Sequence, residues 1–97
     1  MDKKELIVKV SENACITITL LSSFYDMSSE AIWSLDASNA AKLYLELIPM
    51  CKEKNIDIMT ESDETIFKEI FGVFDIDKFE NLCKTKDIKY EKFVWID

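Results

Sequence analysis

Two runs of strict apolar–polar alternation stand close together near the start of the chain. In Glu5–Val10, Leu6, Val8 and Val10 share one side and Glu5, Ile7 and Lys9 the other. In Ala14–Leu20, Ile16, Ile18 and Leu20 oppose Cys15, Thr17 and Thr19. A period of two matches the pleat of a strand and no helix, and the β-branched residues favour the same state. Between the runs lies Ser11-Glu12-Asn13, a short polar link in which Asn13 is suited to a positive φ. The expectation is an antiparallel hairpin with one apolar face, which commits the rest of the chain to covering that face.

Glu30–Leu35 resumes the alternation, with Ala31, Trp33 and Leu35 on one side and Ile32 on the other. A turn at Asp26–Ser29 makes this the third strand of a meander. The period then changes. Asp36 or Ser38 is placed to cap a helix in which Ala40, Leu43, Leu47, Met50 and Cys51 recur at three- and four-residue spacing. Pro49 interrupts it, so a kink or break is expected near Leu47, with the end at Lys52–Asn55. Ile56–Met59 reads as a short strand. Ser62 caps a second helix whose apolar side is Ile66, Phe67, Ile70, Phe71 and Phe74, weakened at Gly72, the only glycine. Asp75 caps a third, with Ile76, Phe79, Leu82 and Cys83 inward and Asp87 at its end. Ile88–Ile96 reads as a last strand, with Ile88, Tyr90, Val94 and Ile96 on one face and Phe93 and Trp95 on the other. The expected fold is a single α+β domain over residues 1–97, in the order β-β-β-α-β-α-α-β. Its antiparallel sheet carries helices on one face, with the fourth or last strand at an edge.

Composition narrows the chemistry. His, Arg and Gln are absent and the net charge is −7. Without His, the commonest general base and zinc ligand are missing; without Arg, there is no planar fork for phosphate. The negative charge opposes nucleic-acid binding. Cys15, Cys51 and Cys83 are odd in number and widely spaced, as reduced packing thiols are. No signal peptide or membrane-spanning run is visible, so a cytoplasmic protein is expected. Usage rich in Lys, Ile, Asn and Asp and without Arg points to an AT-rich coding sequence and a bacterial or phage source. No cofactor, metal or catalytic residue is expected. Asp75-Ile76-Asp77 begins like a calcium loop, but Phe79, Glu80 and Lys86 stand where such a loop needs a ligand, a glycine and a glutamate.

What remains is charge placement. Residues 61–80 hold seven carboxylates and two lysines. Asp63, Glu64, Asp75 and Asp77 suit helix N-termini, which gives them a local structural role. The stretch also suits a docking surface for a basic protein, because clustered charge steers association and selects partners. The expected partner-binding residues are Asp57, Glu61, Asp63, Glu64, Glu69, Asp75, Asp77 and Glu80, joined by Phe93 and Trp95 as aromatic anchors. The function expected is inhibition of a basic partner by occlusion of its active site. Its most concrete forms are a bacterial immunity protein against a nuclease-type toxin and a phage inhibitor of a nucleic-acid enzyme, such as an anti-CRISPR protein. The alternative is a structural or regulatory module, without catalysis, that self-associates through a sheet edge.

Overall fold

A computed structural model describes residues 3–24, 26–72 and 75–96. Strands β1 (Lys3–Val10), β2 (Ile16–Phe24) and β3 (Met27–Leu35) precede helices α1 (Ala37–Glu53), α2 (Asp63–Phe71) and α3 (Ile76–Thr85), and β4 (Glu91–Ile96) closes the chain. The strands form one antiparallel sheet in the order β1-β2-β3-β4, with β1 and β4 at its edges. The class is therefore α+β, as expected.

Register follows from the apolar pattern. Val8 lies opposite Ile18, which lies opposite Trp33, and Leu6, Leu20 and Ala31 form the next row. A slip of one residue would turn each of these side chains to the other face. All of the fully buried strand residues lie on that one face, and all three helices pack there. The helices contribute Ala40, Leu43, Leu47 and Cys51 from α1, Ile66, Phe67, Ile70 and Phe71 from α2, and Phe79 and Cys83 from α3. Burying each large apolar side chain stabilises the fold by about 1.5–3 kcal/mol. At the centre, Phe79 meets the Trp33 ring edge-on at 6.1 Å and Phe71 at 5.7 Å, and Tyr90 lies 6.1 Å away. The predicted place of Phe74 on the α2 face lies outside the described residues.

Several local expectations are corrected. Ile56–Met59 is a turn. Ile56 donates its N–H to the Cys51 carbonyl at 2.9 Å, and Asp57 accepts the Met59 N–H at 3.0 Å. These local bonds use the groups that a strand would need for pairing. In the first hairpin, Ala14 adopts the positive φ of 62° rather than Asn13, and β2 starts at Ile16. Ser11 closes that loop, accepting the Cys15 N–H on its hydroxyl at 3.2 Å. Met27–Ser29 belongs to β3 instead of a turn, because Ser28 and Ser29 pair with Ser23 and Ser22. Of the two outcomes expected at Pro49, the break does not occur: helix α1 is continuous through it. The missing N–H leaves the carbonyl of exposed Leu45 to water, on the side away from the core. Finally, Ile88–Tyr90 is a linker and not strand. Ile88 bonds back to Cys83 at 2.8 Å and Lys89 donates to the Asn39 side chain at 2.8 Å.

Candidate partner-binding surface

The caps position most of the acidic stretch. Ser62 accepts the Thr65 N–H at 3.2 Å and starts α2, so Asp63 and Glu64 stand in its first turn. Asp75 accepts the Lys78 N–H at 3.1 Å and starts α3, with Asp77 in its first turn. Lys78 in turn donates to the Ile70 carbonyl at 3.0 Å, which ties the start of α3 to the end of α2.

Three of the acids are committed to the fold itself. Asp63 accepts the Tyr44 hydroxyl and joins α2 to α1. Burial, then that hydrogen bond and the carboxylate charge, push the Tyr44 phenol well above its ordinary range. Glu64 receives the Val8 N–H of β1 in a long bond of 3.4 Å. Glu80 accepts the Trp33 indole N–H at 3.0 Å and the Lys92 ammonium at 2.9 Å, and Lys92 also sits 5.2 Å over the Trp33 ring. Burial acts to raise the Glu80 carboxyl, but the bonds from Trp33 and Lys92 outweigh it and hold the group below the usual carboxylate range. Asp57, Glu61, Glu69, Asp75 and Asp77 remain exposed. The ion pairs among the described residues, Lys86–Glu46 at 3.9 Å and Lys92–Glu80 at 2.9 Å, involve none of these five.

Phe93 and Trp95 lie elsewhere. Lys92 points into the helix layer, so its neighbours Phe93 and Trp95 point to the opposite, helix-free face. The exposed aromatics therefore lie on the opposite side of the sheet from the helix acids. On the open face Phe93 lies opposite Ile32, and Trp95 opposite Glu30. Their acidic neighbours are Glu30 and Glu91. Alternation in the sequence puts these residues on one side of their strands; only the register shows that β3 and β4 are adjacent. The expected division of the last strand into two faces holds, but its Val94 and Ile96 side is buried only at Ile88 and, in part, Tyr90. Val94 and Ile96 are 54% and 68% exposed, next to 49% for Phe93 and 63% for Trp95. Val94 and Ile96 lie opposite small Ala31 and Ser29, past the part of the sheet that the helices cover.

The thiols also divide. Cys51 and Cys83 are buried in the core, and burial, aided by the Glu80 charge, pushes Cys83 up to about 11. Cys15 is only half-buried, because the hairpin loop carries it to the sheet end. There it lines a cleft of about 430 Å³ with Asp36, Asn39, Lys89 and Glu91. One Asp36 oxygen already receives the Asn39 backbone N–H and side-chain amide, each at 2.9 Å. A smaller cleft of about 220 Å³ lies between Leu21, Ser28, Glu30 and Trp95. Among the described residues no group of three or more His, Cys, Asp or Glu side chains is placed to hold a metal ion, and no helix is long and apolar enough to cross a membrane. No protein-family model, curated protein or solved structure matches the chain.

Proposed function

We propose that this chain is a small cytoplasmic binding protein that inhibits a basic partner protein by covering its active site. The form that suits it best is an immunity protein against a nuclease-type toxin, or a phage inhibitor of a nucleic-acid enzyme. The reading is carried by the five exposed carboxylates Asp57, Glu61, Glu69, Asp75 and Asp77, which have no countercharge in the described ion pairs of a chain of net charge −7. An enzyme that grips phosphates presents a basic groove, and exposed carboxylates compete for that groove. The free thiols suit a reducing compartment.

The test is co-expression with the products of neighbouring genes, followed by an assay of the captured partner's nuclease activity with and without this chain. The expected result is stoichiometric inhibition. Association should slow steeply between low and physiological salt, and the triple variant Glu61→Lys, Glu69→Lys, Asp77→Lys should associate at least about ten-fold more slowly. Inhibition unaffected by both salt and the triple variant would refute the acidic surface. A captured partner with no basic active site would refute the inhibitor reading.

A further inference from the structure

The two edges of the sheet are built differently. β1 carries Lys4, Glu5 and Lys9 along its length, and the Glu64 carboxylate receives its Val8 N–H. Charged side chains and covered amides are how proteins keep an edge from pairing. β4 has neither protection over its second half. Phe93, Val94, Trp95 and Ile96 are uncharged, 49–68% exposed, and free of proline, glycine or a bulge. Among the described residues no strand pairs with the outer side of β4. Such an edge is a template for one more strand.

Charge indicates what that strand carries. On the open face the groups around Phe93 and Trp95 are Glu91 on β4 and Glu30 on β3. The cations described near that face are Lys9, on β1, three strands and about 14 Å away, and Lys89, in the linker before β4, which shares the cleft at the sheet end with Glu91. Lys92 points to the other side and is held by Glu80. Two exposed aromatic rings flanked by two carboxylates suit Lys or Arg side chains, through cation–π contact and ion pairing. A second copy of this chain fits less well. Antiparallel pairing of two β4 edges about a two-fold axis would bring Glu30 and Glu91 of both copies to one face, on which neither β3 nor β4 carries a cation.

We propose that β4 is the docking edge for an extended basic segment of a partner protein, which adds as a fifth strand and sets alternate Lys or Arg side chains over Phe93 and Trp95, between Glu30 and Glu91. This surface is independent of the exposed carboxylates on the helix side.

The probe is an acetylated ten-residue peptide in which Lys alternates with Val or Thr. Two controls accompany it: the same peptide N-methylated at alternate backbone nitrogens, and a version with Glu for Lys. The Lys peptide should slow amide exchange across 91–96 and shift Trp95 fluorescence. The N-methylated peptide keeps the charge but cannot complete a ladder, so it should do neither, and the Glu peptide should not bind. Glu30→Gln and Glu91→Gln should each weaken binding about two- to five-fold. Val94→Pro should abolish it, with Trp95→Glu as a second variant that leaves the backbone unchanged. The triple Lys variant of the helix acids should bind the peptide undiminished, so this proposal and the inhibitor reading fail separately. Equal binding by the N-methylated or the Glu peptide would overturn it. Protection of 91–96 that appears without peptide and rises with protein concentration would also overturn it, by assigning the edge to a second copy.

Discussion

Glu80 shows how one side chain couples distant parts of the chain. It is the acceptor for the indole N–H of a fully buried tryptophan and the counterion of an edge-strand lysine. Glu80→Ala removes the carboxylate that accepts the Trp33 N–H, and chemical denaturation should show a loss of about 1–3 kcal/mol. Glu80→Gln keeps an acceptor and should lose less. The sign with pH follows from the lowered carboxyl. Its unfolded value is near the ordinary 4.5, so its contribution is complete above that pH and fades as pH falls through the lower folded value. The acid limb of a stability–pH curve should therefore flatten in Glu80→Gln. Tyr44 acts in the opposite sense. Its phenol is raised in the fold, so its contribution is present below the ordinary value of 10 and is lost as pH rises toward the folded value. Tyr44→Phe should remove that alkaline loss. The caps Asp36, Ser62 and Asp75 were legible in the sequence because a cap and its N–H lie three residues apart. The bond from Trp33 to Glu80 spans 47 residues and leaves no local trace.

Helices and strands divide along the same line. The three helices and four strands that form were all expected, together with a fifth strand at Ile56–Met59 that does not form, and the buried faces of the helices and of β1–β3 follow the predicted spacing. The misplaced segments fall into two kinds: Ile56–Met59 and the first hairpin loop, where a side chain bonds to nearby backbone, and Met27–Ser29 and Ile88–Tyr90, where a distant partner decides. Ile56–Met59 has the apolar content of a strand, yet the Asp57 carboxylate folds it into a turn. Gly72 ends α2 at φ 67° and ψ −139°, a conformation that side chains strongly disfavour, with open space around the missing Cβ. Gly72→Ala should therefore cost about 1–3 kcal/mol through the backbone alone, measurable by urea titration. Asp75→Ala, which removes the α3 cap, should cost about 1 kcal/mol by the same method.

For the molecule as a whole, the main consequence is a sheet covered on one side only. Trp33 and Trp95 report on the two sides. In single-tryptophan variants, Trp95 emission should be red-shifted and quenched by iodide or acrylamide, while Trp33 emission should be blue-shifted and shielded. Trp33→Ala should cost about 3–5 kcal/mol, and Trp95→Ala within about 0.5 kcal/mol. Equal quenching of the two would contradict the register of β3 against β4. The sequence reading placed Phe93 and Trp95 together with the helix acids in one surface. The fold separates them because α2 and α3 pack on the face toward which Lys92 points.

Local pattern was enough to determine the class, the helix caps, the inward residues of β1–β3 and the absence of the residue types that most metal and acid–base chemistry needs. All of these depend on neighbours within a turn or a pleat. The pairing of β4 with β3, the capture of Glu80 by Trp33 and Lys92, and the separation of aromatics from acids depend on segments far apart in the chain. Such contacts form only when burial of the shared core brings those segments together. The candidate surfaces belong to this second group, since exposure is what remains after the core has been chosen.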